Sequence, residues 1–192
     1  LDRLNHSDSK VKEGLKLIFN IPHSLETVSD LNSLIIDDQY MNIKKLRSAA
    51  NDMSQSSKVT DQSIAEKIAT WLSCPQHNRE SIIENYISSF LTQKGDIKAR
   101  LITNSCKNKD IHIDTLNKEA QRVFEWYHLK KAFLCFLYNF DLIILAQEIL
   151  NIYSRKKEDL SALDYDDLIA YTDRLLEDDI NQAQWVMFKL DE

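Results

Sequence analysis

Two glycines and two prolines in 192 residues constrain this chain more than any motif in it. Tight hairpins and phosphate-cradling loops depend on glycine, and many chain reversals use proline. A sequence this poor in both is confined largely to helices joined by polar linkers. Between the breakers Leu, Ile, Ala, Lys, Glu, Asp, Asn and Gln dominate, a mixture that favours helix over strand. With 43% of residues apolar the chain is able to bury a core, and its length suits one domain. The expectation is an all-α domain.

The apolar periodicity divides the chain into segments. Val11, Leu15, Ile18 and Phe19 share one face of a helix that Asn20-Ile21-Pro22 ends. Ser24 is the expected N-cap of the next helix, with Leu25, Val28, Leu31, Leu34 and Ile35 inward. A third helix is expected over Gln39–Met53, followed by a Ser-rich loop at 54–58. Thr60 or Asp61 is expected to cap a fourth helix that runs to Leu72 and stops at Cys74-Pro75. A fifth starts at Asn78 and gives way between Leu91 and Gly95, and 104–113 is expected to be a loop. From 114 to about 157 no Gly or Pro interrupts the pattern. That predicts one long helix of about 60 Å at 1.5 Å per residue, with a kink expected near Asn139–Asp141.

Three cysteines, Cys74, Cys106 and Cys135, follow no disulfide or metal spacing and are expected to be reduced thiols. The most apolar stretch, Ala132–Ala146, contains Asn139 and Asp141 and is shorter than the roughly 20 residues a membrane span needs. It is expected to be a buried core helix. The formal charge of −6 is unevenly spread. Lys94, Lys98, Arg100, Lys107 and Lys109 form a basic patch against Asp96 alone, whereas acids far outnumber Arg174 and Lys189 from Glu158 to the end. An acidic chain with one basic patch is not a free-standing non-specific DNA binder, because such binding rests on displacing many counterions from phosphates. The patch is still suited to contribute one surface of a larger machine.

Few residues carry chemistry. Asp164, Asp166 and Asp167 resemble a general-acid cluster, but the local reading is an N-cap at Asp164 with Asp166 and Asp167 opposing the dipole of the first turn. A calcium loop would need a glycine at its sixth position and a terminal glutamate, and Ala170 and Tyr171 stand where such a loop must turn. Cys74-x-x-His77 is half a zinc site with no second half. There is no Gly-x-Ser-x-Gly, no His-Glu-x-x-His and no Gly-Lys-Thr or Gly-Lys-Ser phosphate loop, so this segment is not expected to hydrolyse ATP. At the helix end around Gly95, Thr92, Lys94, Lys98 and Arg100, together with Lys107 and Lys109, are candidate phosphate contacts. The plainer reading of the same residues is a solvated loop.

Three motifs carry a family resemblance. Ala162-Leu163-Asp164-Tyr165-Asp166-Asp167-Leu168 resembles the Leu-Asp-Phe-Asp-Asp-Leu motif of UvrD/Rep-type helicases, which follows a long helix and precedes the Walker B strand. Phe90–Arg100 resembles the Phe-Leu-Thr-Lys-x-Gly-x-x-Arg stretch of AddA-type helicase/nuclease subunits of alphaproteobacteria. Trp185–Asp191 resembles their Trp-Val-Leu-Tyr-Lys-Leu-Asp stretch. Together they cover roughly Ile82–Glu192 in the family's order. Departures are Tyr165 for Phe, Gln93 for Lys and Met187-Phe188 for Leu-Tyr.

The resemblance implies an internal segment equivalent to the 1B subdomain, a helical insertion in the first RecA-like motor domain. The start without Met and the close on an apolar run fit that expectation. On this reading 1–92 are N-terminal helices, 93–113 a basic turn and loop, 114–160 the long helix, and 161–192 a connector to the motor, with Trp185, Val186 and Phe188 packing on it. The parent would be a cytoplasmic bacterial, ATP- and Mg²⁺-dependent helicase with a nuclease domain and a second subunit. It would act on single-stranded DNA and the duplex junction in double-strand break repair, away from any membrane. A second reading is a free-standing helical module that binds a partner protein through apolar surface near Trp185, Val186 and Phe188. A third, a small helical enzyme, has no supporting constellation.

Overall fold

The computed structural model describes residues 2–178 and 188–189. They are predominantly helical, and the described residues contain no strand, only an isolated antiparallel bridge between Leu91 and Ile97. The helices are α1 (Asp2–Ile18), α2 (Val28–Ile36), α3 (Ile43–Ser54), α4 (Val59–Ser73), α5 (Ile83–Phe90), α6 (Lys109–Leu160) and α7 (Tyr165–Asp178). Short 3₁₀ turns occupy Asp38–Tyr40 and Gln76–Ile82. The chain divides into two units, 1–140 and 141–192, and the division falls inside α6.

Local rules explain most helix ends, and several differ from the expectation. Asn20 takes the left-handed conformation (φ 53°), with Ile21 N donating to Lys16 O and Asn20 N to Leu17 O, a Schellman close of α1 just before Pro22. Thr27, not Ser24, caps α2. Its hydroxyl accepts from Asp30 N while the Asp30 carboxylate accepts from Thr27 N, which satisfies two orphan donors at once. The single helix expected over Gln39–Met53 is split, and α3 starts only after Asn42, whose side-chain oxygen accepts from Lys45 N. The 104–113 loop ends early: Lys109 already belongs to α6, five residues ahead of the expected start, and the helix then runs to Leu160. No break occurs at Asn139–Asp141, where the Asn139 amide donates back to Cys135 O at 2.8 Å.

The core lies in the first unit. α3 and α4 form a helical hairpin that buries Leu46, Ala49, Ala50 and Met53 with Ile64, Ala65, Ile68, Trp71 and Leu72. Alanines on both helices let the backbones approach closely. Trp71 stacks on Tyr86 of α5 with ring centroids 4.2 Å apart. Leu116, Ala120, Val123, Phe133 and Phe136 of α6 complete the core. Each large side chain sequestered this way contributes about 1.5–3 kcal/mol before entropy is counted.

A polar network threads this core. The Tyr86 hydroxyl donates to Glu119 at 2.6 Å, and Glu119 pairs with Arg122. Arg122 reaches the terminal carbonyls of α2 at Leu34 and Ile35, Arg79 reaches the next one at Ile36, and Trp126 Nε1 donates to Leu31 O. Two cations thus close the negative end of one nine-residue helix. Trp71 Nε1 and Ser89 Oγ are buried without a hydrogen-bond partner.

The expectation of a buried helix over Ala132–Ala146 is corrected. Phe133 and Phe136 are buried, but Tyr138, Leu142 and Leu145 are exposed, as are Ile149, Leu150 and Ile152 beyond them. An uninterrupted apolar run signals a preference for burial, yet it does not supply a neighbour to be buried against.

Candidate nucleic-acid interface

α5 ends where Leu91 N donates to Ile87 O, and the chain then folds back on itself. Lys98 N donates to Phe90 O at 2.8 Å, Thr92 N to Asp96 O at 2.8 Å, and Gly95 N to Thr92 O at 3.0 Å, closing a small hairpin around Leu91 and Ile97. Gly95 has φ 91°, a conformation that glycine alone adopts freely. A Cβ there would overlap the Tyr127 ring of α6, so the missing side chain also lets the turn dock on the helix. The expected turn at Gly95 is therefore docked on α6 through its glycine, while Thr92, Gln93, Lys94, Asp96 and Arg100 around it are exposed.

This hairpin, the end of α5 and Tyr127 enclose a cleft of about 340 Å³, lined among others by Glu84, Ser88, Thr92, Gln93 and Lys98. Lys98 Nζ donates to Ser88 O at 2.6 Å, and Lys67 Nζ of α4 donates to Ser88 Oγ at 2.8 Å. Two ammonium groups therefore converge on one residue. Burial, and then the charge of Lys67, push the Lys98 pKa below the ordinary lysine range. Among the described residues neither lysine forms an ion pair, and neither do Lys94 and Arg100, which are exposed nearby along the chain. Lys131 lies over the Tyr127 ring at 4.5 Å.

The predicted contacts separate into two groups. Thr92, Lys94, Lys98 and Arg100 belong to the hairpin and the residues that follow it, although Thr92 spends its backbone groups closing the turn. Lys107 is exposed in a second segment, and Lys109 opens α6 with its ammonium on Asn104 at 2.6 Å. Two acids hold that second segment. Asp61, expected as a cap, is instead buried inside α4 and accepts from Ser56 Oγ, Thr103 N and Thr103 Oγ1. Asp52 accepts from Asn108 Nδ2 and lies 2.8 Å from His112 Nε2, and His112, then Asn108, hold its carboxyl below the usual range. Lys67, Ser88, Tyr127 and Lys131 escaped sequence reasoning, because nothing in the spacing of α4 or α6 marks which side chain meets a residue of a distant element, as Lys67 meets Ser88 of α5 21 positions away.

In the second unit, Leu163-Asp164-Tyr165-Asp166-Asp167-Leu168 opens α7 as the capping reading expects. Asp167 N donates to Asp164 Oδ1 at 2.9 Å and Asp164 N to Asp167 Oδ2 at 3.0 Å, a reciprocal box. Lys157 pairs with both carboxylates, at 3.0 and 2.6 Å, and the Tyr153 hydroxyl donates to Asp164 at 2.9 Å. The Asp167 amide, then Lys157 and Tyr153, hold Asp164 far below the ordinary carboxylate range. Asp167 above all raises Lys157. Ser161 (φ 50°) closes α6 just ahead of the box. The cluster is a clasp between two helix ends, with the carboxylates of Asp164 and Asp167 both facing donors of the same chain. Leu163, Tyr165 and Leu168 are exposed. Of the residues expected to pack on a motor, Phe188 is exposed, and Trp185 and Val186 lie outside the described residues.

No cluster of three or more His, Cys, Asp or Glu suited to a metal ion occurs among the described residues. The chain matches no family model, no curated protein and no solved structure.

Proposed function

We propose that the chain is a DNA-contacting accessory subdomain of an ATP-dependent helicase of the UvrD/Rep type, AddA-like, with the Phe90–Arg100 hairpin as its phosphate-facing element. One observation carries the contact: Lys67 and Lys98 converge on Ser88, Lys98 lining an open cleft whose one carboxylate, Glu84, pairs with Lys130 and with neither of them. Crowded like charges are costly unless an anion shares the space. A nucleic-acid backbone supplies anions at regular spacing, and lysines, arginines, hydroxyls and backbone amides are the groups that receive them. Lys94 and Arg100 extend the same positive surface. The three family-like motifs supply the rest of the reading, including ATP and Mg²⁺ for the parent motor, a second subunit, and action at single-strand and duplex junctions in break repair. The clasp at Asp164 serves as a connector and has no part in chemistry.

The test is made in the full-length protein. Reversing Lys94, Lys98 and Arg100 to Glu is expected to weaken DNA binding. The slope of log K against log salt is expected to fall by about 0.7 for each single-strand phosphate that the variant no longer neutralises. Adding Lys67→Glu deepens the effect. An unchanged slope in a protein whose helical circular dichroism is intact overturns the assignment.

A second reading, a protein-binding module, draws on the exposed apolar residues of α6 beyond Tyr138.

A further inference from the structure

The distal part of α6 carries an ordered apolar seam. Leu142, Leu145, Ile149 and Ile152 are spaced 3, 4 and 3 residues apart, the a/d alternation of a coiled coil, and all four are exposed, at 62, 57, 57 and 45%. At 100° per residue they fall within one narrow stripe. The half-buried residues of the same segment, Ile143, Ile144 and Gln147, fall on the opposite side. The seam is therefore distinct from the face of this helix that its own chain partly shields.

We propose that this seam pairs antiparallel with the same seam of a second copy of the chain. The flanking residues select the direction. With Leu142 and Ile149 at a and Leu145 and Ile152 at d, an antiparallel pair forms the closed layers Leu142–Ile152 and Leu145–Ile149, each occurring twice about a twofold axis. That register sets Asp141 of one copy against Arg155 of the other, also twice. It brings Ala146 against its own symmetry mate, where a small side chain lets the helices approach. In the parallel register Asp141 meets Ala146 and Glu148 meets Tyr153, with no charge complement. One antiparallel contact is adverse: Glu148 faces Glu148 at the centre. The four layers are few for a coiled coil, so the pairing is reversible and weak. The proposal is independent of the DNA-contact reading, whose residues lie in the other unit.

The experiment is sedimentation equilibrium on the 192-residue chain across the micromolar range, with variants at the seam. The expected result is a monomer–dimer equilibrium abolished by Leu145→Asp and weakened about tenfold by Arg155→Glu. The paired variant Asp141→Arg/Arg155→Glu restores it, and Glu148→Gln tightens it. These positions are exposed, so unchanged circular dichroism separates a failure to pair from a failure to fold. Spin labels, placed singly at 148 or 155 in a chain freed of its three cysteines, report direction. Antiparallel pairing gives a short 148–148 distance and a long 155–155 distance, whereas parallel pairing makes the two equal. A monomer at every concentration, a dimer indifferent to Leu145→Asp or to the charge swap, or equal label distances overturns the proposal. An 18-residue window of α6 is also apolar enough by composition to enter a bilayer. A chain that stays monomeric while cosedimenting with phosphatidylcholine vesicles through Leu145 overturns it too.

Discussion

Gly95 lies against the Tyr127 ring with no room for a β-carbon between them, and its φ of 91° is one that other residues adopt only at a cost. The contact ties the hairpin after α5 to the middle of α6. It makes the position of Lys94 and Lys98 a property of packing, not of loop preference.

Gly95→Ala is expected to destabilise the chain by at least about 1 kcal/mol from the left-handed backbone alone, and by more from the overlap with Tyr127. In a Tyr127→Ala background the overlap is gone and the same substitution costs less. Urea denaturation of the two single variants and the double variant measures the coupling, and additive costs would show that the turn does not dock on the ring.

Lys98 has its folded-state pKa depressed, first by burial and then by Lys67. A lysine whose pKa falls on folding opposes the folded state while it is charged. Stability from this group is therefore expected to rise as pH climbs through its folded pKa toward about 10.4, the unfolded value. Lys67→Met removes the like charge and is expected to move the Lys98 titration upward, as is an added oligonucleotide. Side-chain NMR of Lys98 reads both, and no movement on adding DNA argues against phosphate contact at this ammonium.

Asp164 shows the opposite sign. Its folded pKa is held down by the Asp167 amide, Lys157 and Tyr153, so the stabilisation it provides is complete above the unfolded value of about 3.9. It is lost as pH falls from there toward the folded pKa. Hydrogen exchange at the start of α7 is expected to accelerate over that acid window in the native chain. Asp164→Ala should accelerate it already at neutral pH, and Asp164→Asn, which is still able to cap, should do so less. Equal protection in all three chains would show that the clasp does not hold this helix end.

The legible parts of the fold were local ones. Pro22 and Pro75 mark real helix ends, Gly95 marks a real turn, and the cap at Asp164 is visible because its partner stands three residues away. The uninterrupted run after 114 announced a long helix, but its start at Lys109 did not follow from polarity, since polar residues are equally at home on an exposed first turn. Asp61 shows how such reasoning fails. Its place near a helix start suggested a cap, whereas its partners Ser56 and Thr103 make it a buried tie, and Thr103 is 42 residues away.

Sequence alone determined the helical class, the helix ends at Pro22 and Pro75 and the cap at Asp164, because caps, turns and periodicity act within about four residues along the chain. Tertiary structure decided that Lys67 meets Lys98 at Ser88, and that the apolar distal stretch of α6 is left uncovered. Both depend on which faces of distant helices come together. Burial energy is indifferent to sequence separation, so no local pattern records the outcome.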